Sequence, residues 1–154
     1  MDDMETKKLP DILNALSESI SKLLELSKAK QKVLIQRDHD QLNTISENEQ
    51  KYLNDIANLS KQQRLCTDQL KLDFGVPSGM SSLTDIIELI GNRLNPEFSG
   101  RVLTTLNNIK ENSIRLERTN EQNKMLIETS RTFIKAIIQA VRGNGNNSLI
   151  NRRM

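Results

Sequence analysis

Apolar residues recur in steps of three and four along most of the chain, with polar residues filling the gaps between them. In the first stretch Leu9, Leu13, Leu16, Ile20 and Leu23 fall on one helical stripe, which Ile12, Leu24 and Leu26 widen. The pattern blurs at Arg37-Asp38-His39-Asp40. There Asp38 followed by Gln41 fits a capping box and predicts a helix boundary or tight reversal. The 64 residues between Pro10 and Gly75 contain neither Pro nor Gly, so the breakers alone leave one helix or two open, and the capping box favours two. The second rod carries Leu42, Ile45, Glu49, Tyr52, Ile56, Leu59, Gln63, Cys66 and Leu70, a coiled-coil spacing with polar residues at Glu49 and Gln63.

A loop rich in Gly, Pro and Ser follows at Phe74-Gly75-Val76-Pro77-Ser78-Gly79. Ser81 or Ser82 is then placed to cap a short helix through Leu94, with Asp85 in its first turn and Gly91 able to end it early. Asn95-Pro96-Glu97 is a strong helix start, because Asn caps and Pro at the first position lacks only an N–H that would be unpaired anyway. The last rod has the longest seam: Val102, Leu106, Ile109, Ser113, Leu116, Asn120, Asn123, Ile127, Ser130, Ile134, Ile137 and Val141. Its 42 residues from Arg101 to Arg142 lack Gly and Pro and would span roughly 60 Å as a helix. Arg142-Gly143-Asn144-Gly145-Asn146-Asn147 is expected to stop it. The expectation is an all-α, elongated antiparallel bundle or coiled coil, with two or three long helices and one short one. Residues 1–142 would form one helical domain and 143–154 a flexible tail holding the small apolar island Leu149-Ile150.

Composition agrees with long helices. Leu and Ile, 21 and 15 of them, dominate an apolar set that has no Trp, one Tyr and three Phe. The longest apolar runs are triplets such as Met125-Leu126-Ile127, far short of a membrane span. A start without a basic segment followed by an apolar one, together with a single cysteine, points to a reducing, cytoplasmic home. The net charge of +2 is too small for a nucleic-acid argument, but it is uneven: after Glu128 there is no acid, while Arg131, Lys135, Arg142, Arg152 and Arg153 remain. Without interleaved aromatics or a recognition-helix pattern, no nucleic-acid partner is expected.

Catalytic, metal and cofactor chemistry find no support. One His and one Cys, 27 positions apart, supply neither a nucleophile with its base nor a ligand cluster. His39 reads as a solvated turn residue and Cys66, at a seam position, as packing. Gly143-Asn144-Gly145 follows a helix and precedes none, the wrong context for holding phosphate.

The polar seam positions carry more. Asn120 and Asn123 stand where a stable coil would place Leu or Ile, and such residues trade stability for register. They either fix the pairing of this helix with the chain's own second rod or help leave a surface for a partner. Nearby, Met125, Leu126, Ile127, Phe133, Ile134, Ile137, Ile138, Ala140 and Val141 make a stripe wider than a two-position seam needs. Two outcomes stay open for it: packing against the short helix from Leu83 to Leu94, or a helix-in-groove contact with another molecule.

The order of parts resembles the FlgN-type flagellar export chaperones. The resemblance rests on Lys32-Val33-Leu34-Ile35-Gln36-Arg37-Asp38, on Leu42-Asn43-Thr44-Ile45 with Glu49, on Arg64, and most of all on Asn120-Glu121-Gln122-Asn123-Lys124-Met125-Leu126-Ile127 deep in a long final helix. It departs at the tail, where Val141-Arg142-Gly143 lacks the Tyr-Gly pair that members often carry. The resemblance implies a cytoplasmic chaperone without catalysis or cofactor. Such a protein binds the helical C-terminal region of the hook-filament junction proteins, blocks premature polymerisation, and delivers them to the type III export apparatus. The partner-binding residues would be Asn120, Asn123, Met125, Leu126, Ile127, Phe133, Ile134, Ile137, Ile138 and Val141. The competing expectation is a self-associating coiled-coil scaffold or tether, a homodimer through the same seams.

Overall fold

The computed structural model describes residues 7–148, with side chains described through residue 142. Among the described residues four α-helices follow one another: α1 Leu9–Gln36, α2 His39–Phe74, α3 Leu83–Ile90 and α4 Pro96–Ser148, with a 3₁₀ turn at Gly91–Arg93 between the last two. Among the described residues there is no strand.

Local chemistry sets the boundaries. Arg37 adopts the left-handed conformation (φ 59°) that ends α1, and the Asp38 N–H donates to Val33 O at 3.3 Å. Asp38 then caps α2, its carboxylate accepting from the Gln41 N–H at 3.1 Å, as the capping box predicts. The stretch between Pro10 and Gly75 is therefore two helices. Gly75 at φ 64° terminates α2 in the region where a side chain would be strained. Ser82, not Ser81, caps α3. Asn95 Oδ1 accepts from the N–H groups of Glu97 and Phe98 at the head of α4.

The helix α1 is the central strut, lying along α2 on one side and along α4 on the other. With α2 it makes an antiparallel hairpin, tied by the Lys30–Glu49 ion pair at 3.0 Å, which accounts for one of the two polar seam positions of α2. With α4 it runs parallel. The pairs Asn14–Thr105, Ser21–Asn112, Ser27–Asn120 and Gln31–Gln122 each join residues 91 to 93 positions apart, and both members advance together. The chain thus runs up, down and up again.

The densest core lies at one end. Leu9, Ile12 and Leu13 of α1, Cys66 and Leu70 of α2, and Val102 of α4 meet the whole apolar face of α3, formed by Leu83, Ile86, Ile87 and Ile90. That i, i+3, i+4, i+7 spacing lets an eight-residue helix seal the base. Arg93 holds the connection down, its guanidinium stacked on the Phe74 ring at 4.9 Å and donating to Phe74 O.

At the other end α4 outruns its partners. With an offset of 91, Gln36 at the end of α1 stands level with Ile127, so residues 128–148 continue for roughly 30 Å past the hairpin. The helix also continues through Gly143 and Gly145 to Ser148, beyond the stop expected at Arg142. Glycine in a helix costs about 1 kcal/mol but forbids nothing, and a helix already nucleated upstream needs no new nucleus. The apolar island Leu149-Ile150 and the terminal Arg152-Arg153 lie outside the described residues.

Candidate functional site

The extension of α4 leaves its seam without a counterpart. Phe133, Ile134, Ile137, Ile138 and Val141 are each between 44% and 54% exposed. At about 100° per residue, Ile134, Ile137, Ile138 and Val141 fall within an arc of roughly 100°, with Phe133 on its edge. Packing of this stripe against the short helix, one of the two expectations, is ruled out by the fold: α3 sits at the base, where it meets Val102 of α4, about 30 residues before the stripe. A contiguous apolar strip on a protruding helix marks an interaction surface more often than an accident of composition.

Toward the bundle the strip runs into a groove of about 450 Å³. Its walls are α2, through Glu49 and Leu53, and α4, through Asn120, Lys124, Ile127 and Arg131; Leu23 and Lys30 of α1 form its floor. The Lys30–Glu49 pair, with only 24% and 14% of its side chains exposed, ties floor to wall.

The residues singled out by the sequence divide into four groups. Ile134, Ile137, Ile138 and Val141, with Phe133 beside them, share the open face. Leu126 and Ile127 are half-buried where α4 leaves the hairpin. Asn123 is 3% exposed and faces α1: its Nδ2 donates to Ser27 O at 2.9 Å and to Ser27 Oγ at 3.3 Å, while Ser27 Oγ donates to Asn120 Oδ1 at 2.7 Å. The two asparagines therefore set the register of α4 against the first helix, not the second. Asn123 Oδ1 is buried with no hydrogen-bond partner among the described residues. Met125, 64% exposed, lies on the opposite side of α4 from Ile134 and does not extend the strip.

Counting charges along the chain identifies a basic end but not a face. Lys124, Arg131, Lys135 and Arg142 are spaced by seven, four and seven residues, which places all four within an arc of about 40° along one margin of the strip. The other margin, Leu126, Thr129, Phe133, Ala136 and Ala140, carries no charge. That helical spacing was the available signal.

Among the described residues no three His, Cys, Asp or Glu side chains come together as a metal-binding group, and no helix is long and apolar enough to cross a membrane. The family model described as FlgN protein matches residues 1–151. No curated protein and no solved structure matches the chain.

Proposed function

The chain belongs to the FlgN protein family, and from that premise we propose that it captures the helical C-terminal segment of flagellar hook-filament junction proteins on the exposed strip of α4. The family is one of flagellar export chaperones, not of enzymes. In this reading the protein acts in the cytoplasm, keeps its client from polymerising early, and brings it to the type III export apparatus.

The observation that supports this reading is an apolar face of five side chains presented on a helix with no internal neighbour. An amphipathic client helix laid along it would bury those side chains at about 1.5–3 kcal/mol each, less the ordering cost, enough for micromolar or tighter binding. Masking needs no bond chemistry: covering the client's own apolar face is sufficient to stop it from finding a copy of itself. Residues 143–154 remain the candidate tether to the export apparatus.

The test is the double substitution Ile134→Asp with Ile138→Asp, assayed for capture of purified junction-protein C-terminal segments and for helicity by circular dichroism. Both side chains are about half exposed, so helicity is expected to survive while capture is lost. Retained capture by the folded variant would overturn the placement. Light scattering separates the scaffold reading, since a monomer forming a one-to-one complex supports the chaperone and an obligate oligomer indifferent to those segments supports the scaffold.

A further inference from the structure

The strip on α4 is bordered unequally. Lys124, Arg131, Lys135 and Arg142 form a rail on one margin, all four exposed, and none makes a salt bridge among the described residues. Glu128, which lines the groove with Lys124 and Arg131, is the last carboxylate of the helix, so four cations on this margin face a single acid. The rail begins inside the groove, where Lys124 and Arg131 form part of its α4 wall, and continues along the extension, so groove, strip and rail make one continuous surface.

We propose that this surface selects a partner helix whose apolar face is bordered on one edge by carboxylates, spaced by seven, four and seven residues to meet the rail. The proposal rests on the reading of the strip as a helix-binding site and adds the chemistry by which it discriminates. Carboxylates on the matching edge would pair with cations that make no salt bridge among the described residues, and the uncharged margin opposite imposes no such demand.

The same asymmetry argues against two other occupants. A second copy packed antiparallel through the strip sets rail against rail, placing like charges together, and one packed parallel sets the rail against the uncharged margin; neither supplies counter-charge. A helix lying on an anionic lipid surface is served by cations on both margins and by interfacial Trp or Tyr. This one has cations on one margin only and no Trp or Tyr in residues 124–142.

The experiment uses the full chain and two synthetic amphipathic peptides with the same Leu/Ile face. One carries Glu along one edge at the matching spacing, the other Lys at those positions. Binding is read by fluorescence anisotropy in low and in moderate salt. The acidic peptide is expected to bind roughly tenfold more tightly than the basic one, the order of a few exposed ion pairs acting together, with the difference shrinking as salt rises. In the variant Arg131→Glu with Lys135→Glu, checked for unchanged helicity, the rail's charges cancel and the preference is expected to be lost. Equal binding of both peptides would overturn the rail's role while leaving the strip a helix-binding site. Binding of neither would overturn the proposal too, and capture of junction-protein segments, sensitive to the Ile134 and Ile138 substitutions, still judges the underlying reading separately. Stronger association with phosphatidylglycerol vesicles than with the acidic peptide, or salt-insensitive self-association through the strip, would equally overturn it.

Discussion

Ser27 is a fully buried hydroxyl in the C-terminal half of α1, and its neighbours show why a small polar residue belongs there. Its carbonyl and hydroxyl accept both hydrogen bonds of the Asn123 amide, and its own proton goes to Asn120. Sliding α4 by one turn would break all three bonds at once and leave Asn123 buried without a partner, so the trio pins the register at a point where aliphatic packing tolerates slippage. Asn123→Ala is expected to cost about 1–3 kcal/mol, read as a lower urea midpoint, because Ser27 loses its donor in a buried site. Joint replacement by Ser27→Ala and Asn123→Leu is expected to recover most of that loss, since both polar groups leave together. Half of this was legible beforehand: Asn120 and Asn123 interrupt a heptad run and draw notice, whereas Ser27 is one serine among several in α1 and only packing reveals its place.

The helices themselves follow closely from local signals. Asp38, Ser82 and Asn95 cap because each offers an oxygen to the first unpaired N–H groups, a chemistry visible in a few letters. What no local signal contains is where a helix loses its neighbours. The seam of α4 passes Ile127 without any change in spacing, yet residues before it face α1 and those after it face water, because α1 ends at Gln36, far away in sequence. The parallel order of α1 and α4 was hidden for the same reason, being a property of connection length and the sealing of the base by α3. Stability should differ accordingly along one continuous helix. Amide hydrogen exchange is expected to be slow from Val102 to Asn123 and faster by orders of magnitude from Arg131 to Arg142, where the apolar side chains are about half exposed and little packing opposes opening. Adding a bound client segment should slow the second group and leave the first unchanged; uniform protection without client would contradict the view of an unsupported extension.

Across the whole molecule, the packed core and the proposed recognition surface occupy opposite ends. The base holds the fully buried Ile86, Ile87, Leu70 and Val102, while the far end holds the open strip. Ile86→Ala is expected to cost about 2–5 kcal/mol by leaving a cavity in the base, lowering the melting temperature. Client affinity measured below that transition should change by less than twofold, since nothing at the strip touches α3. The converse substitutions at Ile134 and Ile138 should leave the melting temperature nearly unchanged. A correlated loss of both properties in either variant would show the two ends to be coupled.

The pairing of α1 with α4 also orders events in time. The hairpin closes over short separations, Lys30 reaching Glu49 only 19 residues on, and so can form as soon as α2 is made. Docking of α4 instead joins residues more than 90 positions apart and waits for nearly the whole polypeptide to emerge. Because residues beyond Ile127 borrow their helical nucleus from that docked segment, the proposed client-binding face matures last. If the strip is the grip proposed above, a nascent chain has none assembled to offer, and a client made alongside it meets either an incomplete protein or a finished one.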